Sequence, residues 1–304
     1  MKLRYILSIV LAVCTLSASA ADNGAAFSFS RIDRSPASSA MAGATLTNTD
    51  NLAWGAFANP SLAPFSSAKT AIDFSFQSWM PSFSAGSNFT LGTGFNFGRL
   101  GLSVGGSYLG GSSYDIISDT GVKTGTFTPN DLQFGAGLGF LITDGLSVGA
   151  NFKYFSSTLT AKDSYSGFGA SAFVSWHKDA FTASAGIMDI GPAVEGSGKA
   201  SYSLPTSVAA SASYVLGNET NRVLAELDAH YFLAGGFSAA LGAEYAWNDT
   251  VFARAGYCLS SSAPLPSYAS VGAGAKFKGV KLNVSYLLGE TVGGSLLLGI
   301  GIDF

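Results

Sequence analysis

From residue 69 to the C-terminus the chain alternates between apolar residues and small or polar residues, and this alternation restricts its possible folds more than any other feature. In the first segment Ile72, Phe74 and Phe76 share one side, with polar residues between them. A period of two residues is typical of a β-strand whose two faces meet different surroundings. Fourteen such segments can be counted, around residues 72–77, 89–97, 100–108, 131–142, 145–155, 167–176, 181–188, 206–216, 222–232, 236–247, 251–257, 269–277, 280–287 and 295–304.

The ionisable residues of these segments fall on the side that lacks large apolar residues, and the apolar side carries none except tyrosine. A Lys or Arg facing lipid near the bilayer midplane would cost a barrel ~2–4 kcal/mol, which explains the sorting. Residues 69–304 are therefore predicted to form an all-β, transmembrane antiparallel β-barrel of about 14 strands, with membrane lipid around it. The sorted residues are Asp73, Lys153, Glu226, Asp228, His230, Glu244, Arg254, Lys276, Lys281 and Asp303.

A soluble β-sandwich is the alternative fold, since its strands alternate too. Its polar face would meet water and would be rich in Lys, Glu and Asp. Here charged residues make up only 12% of the chain and glycine alone counts 38, so the polar faces suit a crowded barrel lumen better. Short turns also alternate with longer connections, as they do in outer-membrane barrels.

The first 20 residues are interpreted as a Sec signal peptide. Lys2 and Arg4 precede an apolar run over residues 5–13, and Ala18-Ser19-Ala20 completes an A-x-A cleavage site near Ala20. The apolar run is shorter than the roughly 20 residues that a membrane-spanning helix needs. Together with the barrel pattern, this segment predicts a location in a bacterial outer membrane.

Residues 21–68 do not alternate, and we expect them to form an N-terminal hatch, or plug, folded into the lumen. Asn59-Pro60 is predicted to start a short helical turn there, because proline suits the first helical position. A periplasmic tail lying against the barrel rim is the alternative. The segment is not an empty linker, because it contains Met41, Leu46, Leu52, Trp54, Phe57, Leu62 and Phe65.

A lumen ion-pair network is predicted in one sector of the wall. If residues 248–250 form a three-residue hairpin, Glu244 falls opposite Arg254, and both point inward. Glu226, Asp228 and His230 lie on the neighbouring strand. A structural network that fixes hatch to wall is favoured over a substrate or proton site, because lumen charges are common in barrels.

Several function classes are not expected. The formal net charge is −3, which does not favour binding of nucleic acid. The only histidines, His177 and His230, lack metal-ligand spacing or a nucleophile partner, and Cys258 is the one cysteine that remains after loss of the signal peptide. The chain is therefore predicted to be non-enzymatic, with no cofactor and no metal.

The mature chain resembles the PorV/PorQ family of outer-membrane β-barrels, which have a FadL-like fold and are associated with type IX secretion. The matching segments are residues 39–44 and 59–63, Asp189-Ile190-Gly191-Pro192 with Leu204-Pro205, and the hairpin pieces 242–245 and 254–257. Two segments depart from the family pattern. Ala42-Gly43 stands where paired glycines are common, and residues 48–51 replace an acidic stretch, so the branch of the family is not assigned.

The resemblance implies a scaffold or shuttle that binds type IX secretion or surface-attachment proteins through its outer loops. The alternative is a FadL-like channel for small hydrophobic compounds, which would need a lateral gap or a kinked strand in the wall. A simple porin is the third possibility. Fold analogy alone does not choose among them.

Overall fold

The computed structural model describes residues 25–80, 86–161, 163–195, 201–218, 220–261, 266–290 and 293–304. The predicted signal peptide, residues 1–20, lies outside these residues. Within them, no helix has the length and apolar character needed to cross a membrane.

Fourteen strands of the described chain close into one antiparallel barrel, which confirms the predicted fold class and strand number. The strands are β1 (Thr70–Trp79), β2 (Gly86–Asn96), β3 (Leu100–Gly110), β4 (Tyr114–Ile117), β5 (Lys123–Phe127), β6 (Asn130–Thr143), β7 (Leu146–Thr158), β8 (Ser164–Lys178), β9 (Phe181–Ile190), β10 (Val194–Glu195), β11 (Ser201–Tyr202), β12 (Ser207–Gly217), β13 (Asn221–Phe232), β14 (Phe237–Trp247), β15 (Val251–Ser260), β16 (Tyr268–Phe277), β17 (Val280–Leu288) and β18 (Leu296–Asp303). Each barrel strand pairs with the barrel strands before and after it, and β1 pairs with β18 to close the ring.

The two longest connections, predicted as loops, each contain an additional strand pair outside the ring. β4 pairs with β5, and β10 pairs with β11. Sequence periodicity missed them because strands of two to five residues are too short to show an alternating pattern. Both pairs lie at the end of the barrel that carries the longer connections, which is the outer end in barrels of this type.

The alternation decides which side chains face lipid. On β1, Ile72 and Phe74 are 44% and 41% exposed on the outer surface, while Asp73 between them is 8% exposed in the lumen. On β13, Glu226 and Asp228 are likewise buried inside. The charge sorting read from the sequence therefore corresponds to an apolar outer face and a polar inner face.

Residues 25–68 pack against the inner face of the barrel wall, and we refer to this segment as the hatch. Met41 and Ala53 have no exposed surface. Ser35 caps α1 by accepting the Ser38 N–H at 3.4 Å, and Pro36 occupies the first helical turn, where a missing N–H is tolerated. The helical pieces among the described residues are α1 (Pro36–Ala40) and 3₁₀ turns at Ser28–Arg31, Leu52–Trp54 and Pro60–Phe65.

The hatch runs from the outer mouth of the barrel to its inner end. At the outer mouth, the Ala26 N–H donates to the Ser203 carbonyl at 2.8 Å, and Phe27 stacks on Phe155 with centroids 5.4 Å apart. At the inner end, Phe65 contacts His177 near the end of β8. The chain then enters β1.

Glycines on the lumen face of β2 let the hatch backbone lie directly on the wall. A Cβ at Gly92 or Gly94 would collide with the carbonyl oxygen of Ala53 or Leu52. A larger residue would push the hatch away from the wall, so the close packing of the hatch requires glycine at these positions.

Candidate binding chamber and its hatch

Two adjacent carboxylates of β13 hold the hatch loop of residues 45–47. Asp228 Oδ2 accepts the N–H groups of Thr45 at 2.9 Å and Leu46 at 3.1 Å. Glu226 Oε1 accepts both the N–H and the hydroxyl of Thr47 at 2.7 Å. Because buried N–H and hydroxyl groups need hydrogen-bonding partners, these four bonds anchor the hatch to the wall.

Asn59 joins three parts of the hatch and wall. Its Oδ1 accepts the Ser61 N–H at 3.1 Å and so caps the 3₁₀ turn that begins at Pro60. Its Nδ2 donates to the Leu46 carbonyl at 2.8 Å and to Ser175 Oγ on β8 at 3.1 Å. One amide side chain therefore ties the last hatch turn both to the clamped loop and to the barrel.

A second group of polar contacts lies in the hatch, around Arg34 just before α1. Arg34 Nη2 donates to the Phe29 carbonyl at 2.9 Å and to Gln133 Oε1 on β6 at 2.7 Å, and Nη1 donates to the carbonyls of Ser30 and Ile32. Burial lowers the pKa of Arg34 to about 10, so the guanidinium stays charged at neutral pH.

Asp33 lies next to this arginine and is also withdrawn from bulk water. Burial raises the pKa of Asp33 to about 7, although the Ser35 N–H and the Arg34 charge act in the opposite direction. Its Oδ1 accepts the Ser35 N–H at 3.1 Å. The hatch thus contains a carboxyl group that titrates near neutral pH.

An upper chamber of about 160 Å³ lies between the outer side of the hatch and the wall. Its apolar lining includes Ile32 from the hatch, Met188 from β9 and Phe232 from β13. His230, Ser238 and Tyr268 contribute polar groups from β13, β14 and β16. The chamber can therefore hold a small molecule with an apolar body.

A lower chamber of about 310 Å³ lies on the inner side of the hatch and is lined by ion pairs. Arg254 Nε donates to Glu244 Oε2 at 2.6 Å, and Lys281 Nζ lies 3.1 Å from Asp73 Oδ2 and 2.7 Å from Asp303 Oδ1. This lining is much more polar than that of the upper chamber, so the two spaces present different chemistry.

Ser35 and Trp54 line both chambers. These two hatch residues therefore form part of the partition between the outer and inner spaces.

Strand β9 is kinked beside the upper chamber. The β8–β9 register shifts between Ala170 and Ala172, and Asp189 in the bulge has a left-handed φ of 52°. The Asp189 carboxylate receives the Lys153 ammonium at 2.8 Å, with side chains 7% and 1% exposed. The buried ion pair therefore lies at this register shift and stabilises it. The other register shift among the described barrel strands is next to the turn between β6 and β7.

The five residues predicted to form one lumen network lie in three different places. Glu226 and Asp228 hold the hatch loop, Glu244 and Arg254 pair across β14 and β15 in the lower chamber, and His230 faces the upper chamber. These groups therefore make separate contacts, although they lie on neighbouring strands.

Sequence reasoning missed Asp33, Arg34 and the partnership of Lys153 with Asp189. Two features of the sequence could have indicated them. Asp33 and Arg34 are ionisable residues in a segment that has few charges, and Asp189 is an aspartate at the end of a strand. No group of three or more His, Cys, Asp or Glu side chains in the described ranges has an arrangement that could hold a metal ion.

No family model and no curated protein sequence matches the chain. Solved structures are similar in fold. The P. putida toluene transporter TodX has 13% identity and a TM-score of 0.63, covering 88% of this chain and 98% of its own. The monoaromatic hydrocarbon channel CymD has 13% identity and a TM-score of 0.61, covering 90% of this chain and 98% of its own. A Pseudomonas aeruginosa FadL homologue has 13% identity and a TM-score of 0.55, covering 90% of this chain and 99% of its own. The fold is therefore that of the FadL-type outer-membrane barrels.

Proposed function

We propose that this chain is a non-enzymatic outer-membrane channel for small hydrophobic compounds. The observation that carries the proposal is the upper chamber, a partly apolar space between hatch and wall. The register shift of β9 beside this chamber supports the proposal, because a kinked wall strand is one of the features that such a channel would need. Structures of similar fold include channels for toluene and other monoaromatic hydrocarbons, which supports the same function.

Uptake of a labelled single-ring hydrocarbon by cells that produce the barrel tests this proposal. Ala240 lines the upper chamber, whereas the adjacent Ala239 lies on the opposite, lipid-facing side of β14. Ala240→Leu should reduce uptake because it fills the chamber, and Ala239→Leu should leave uptake unchanged. Uptake no higher than in cells without the barrel would contradict the proposal.

The second candidate is a PorV/PorQ-like scaffold or shuttle for type IX secretion or surface-attachment proteins. It is favoured by the β4–β5 hairpin, on which Ile117 and Val122 are 55% and 60% exposed at the outer end. Exposed apolar side chains beyond the membrane suit a protein contact. Co-purification of a secreted partner that is lost in an Ile117→Ser, Val122→Ser double variant would support this candidate, and retention of the partner would argue against the hairpin as its contact.

A further inference from the structure

The upper chamber contains polar side chains whose hydrogen-bonding capacity the protein does not use. His230, Ser238 and Tyr268 line it from three wall strands. Among the described residues, none of the three side chains has a hydrogen-bonding partner. Each can donate and accept, because neutral imidazole and hydroxyl groups do both. A ligand with an uncharged polar group would therefore find partners here.

Most of the charged groups that line the chamber already make contacts within the protein. Lys153 and Asp189 pair with each other at 2.8 Å, Arg34 donates to hatch carbonyls, and the Arg31 guanidinium lies 3.6 Å over the Phe232 ring. One oxygen of Asp33 accepts the Ser35 N–H, and the other is buried without a hydrogen-bonding partner among the described residues. An anionic ligand would face the Asp33 and Asp189 carboxylates and would have to break the existing contacts of the cations, so the chamber favours a neutral ligand over an anion.

The size of the chamber limits the ligand to about one ring. Its volume is about 160 Å³, and a cavity of roughly 150 Å³ in a protein interior is large enough for benzene. The Phe232 ring and the Met188 side chain offer apolar contact for such a ring. A long acyl chain would not fit within this space.

A bare hydrocarbon would fill the volume but would displace water from three polar groups without replacing its hydrogen bonds. Buried polar groups left without partners are costly, and sites built around a ligand hydroxyl discriminate against analogues that lack it. A hydroxyl group can both donate to and accept from the groups on the wall.

We propose that the upper chamber selects an uncharged single-ring compound bearing a hydroxyl group, which bonds to His230, Ser238 and Tyr268 while its ring packs on Phe232 and Met188. This inference rests on the proposed channel function and names its substrate class. The discriminating feature is the hydroxyl group, not the ring.

Binding of 4-methylphenol, toluene and 4-methylbenzoate to the detergent-purified barrel tests the inference, since the three share one ring and one methyl group. Calorimetric titration, with empty micelles as the blank, should give one site for 4-methylphenol, with affinity about tenfold above that for toluene. The anion 4-methylbenzoate should bind more weakly than 4-methylphenol. Equal binding of toluene and 4-methylphenol, or tightest binding of the anion, would overturn the inference.

Two variants that each remove only a hydroxyl group make the test specific to this chamber. Tyr268→Phe and Ser238→Ala should each lower the affinity for 4-methylphenol several-fold and leave that for toluene unchanged. Ser213→Ala is the matched control, because Ser213 is buried on the lumen face of β12 outside the chamber. If both variants bind 4-methylphenol like the control, the inference is wrong.

The uptake experiment separates this failure from failure of the channel function. If cells take up the hydrocarbon but the purified barrel does not prefer 4-methylphenol to toluene, the inference is wrong and the proposed channel function is retained. If no ring compound binds and uptake does not exceed background, both proposals are wrong.

Discussion

Arg254 of β15 connects β14 and β17 in the lower wall through one side chain. Its Nε donates to Glu244 on β14 at 2.6 Å, and its Nη1 donates to Asn283 on β17 at 2.8 Å. To reach β17 it passes over Gly274 of β16, where a Cβ would come within 2.7 Å of Nη1. Arg254 therefore links strands that are not adjacent, and its side chain has room to reach β17 because Gly274 has no side chain.

Replacing Glu244 with Gln should lower the thermal stability of the detergent-solubilised barrel. The pair is nearly buried, with side chains 7% and 6% exposed. Loss of a hydrogen bond to a charged group costs about 1.5–3 kcal/mol of unfolding free energy. Asp249→Asn is the control, since Asp249 is 63% exposed and should change stability by less than about 0.5 kcal/mol. An unfolding temperature in Glu244→Gln equal to that of the control would refute the prediction.

The carboxyl group of Asp33 should make stability depend on pH. Its pKa in the folded protein is raised to about 7 from a usual value of 3.8, so folding favours the protonated form. Its contribution to stability is fully present below pH 3.8, falls as the pH rises to about 7, and is constant above that. We expect the unfolding temperature of the native protein to drop more than that of Asp33→Asn between pH 5 and pH 8. Parallel curves for the two proteins would be inconsistent with this assignment.

At the scale of elements, the hatch is held by the wall more than by its own secondary structure. Its helical pieces are three to six residues long, too short to be stable alone. The β13 carboxylates, Asn59 and the glycine faces supply the missing contacts. The kinked strand β9 is also held by a contact with the wall, the Lys153–Asp189 ion pair. Lys153 lies opposite Gly169 of β8, so the ion pair crosses this strand at a glycine.

Removing the Asp228 carboxylate should loosen the hatch loop. Asp228→Ala leaves the N–H groups of Thr45 and Leu46 without their acceptor, and each unsatisfied buried donor costs about 1–3 kcal/mol. Amide hydrogen exchange of residues 45–47 should therefore speed up by tenfold or more, while exchange in the barrel strands stays slow. Unchanged exchange at these amides would show that the clamp does not hold the loop.

Breaking the Lys153–Asp189 pair should destabilise the kinked strand. In Lys153→Met the Asp189 carboxylate stays buried without its cation, which costs about 3–5 kcal/mol. The double variant Lys153→Met, Asp189→Asn should recover more than half of that loss, since asparagine has no charge and tolerates the left-handed φ of this position. Heat-induced unfolding measured by the gel mobility shift of the barrel distinguishes the two variants. Equal stabilities for single and double variants would exclude the ion pair as the cause.

At the scale of the whole molecule, the barrel is a plugged tube with an outer and an inner chamber. The upper chamber is small and partly apolar, the lower is larger and lined by ion pairs, and Ser35 and Trp54 of the hatch border both. A continuous aqueous pore is not compatible with this partition, because hatch residues 40–46 and 52–63 are largely buried between the walls.

Planar-bilayer recordings should therefore show a conductance far below that of an open barrel of the same strand number. Trp54→Ala removes a large side chain from the partition and should raise the conductance severalfold. Trp247→Ala is a suitable control, because Trp247 is 53% exposed on the outer surface. A high conductance in the unmodified protein would favour the simple-porin alternative.

Much of the architecture follows from the order of residues alone. Alternation between Ile72, Asp73 and Phe74 defines two faces in one strand, and its repetition predicts the number of strands and the lipid-facing side. The Glu244–Arg254 pairing is equally local, since a three-residue turn sets the register of its two strands. These features are determined by neighbours along the chain or across one hairpin.

Other features required the closed ring. Lys153 and Asp189 are 36 residues apart, and Thr45 and Asp228 are 183 apart, so only the curvature of the wall and the path of the hatch bring them together. The same closure divides Glu226, Asp228, His230 and the Glu244–Arg254 pair among three environments. Residue order alone predicts a barrel with a polar interior. The position of the hatch and the polar groups that it leaves open could not be predicted, because they depend on how surfaces far apart in the chain fit together.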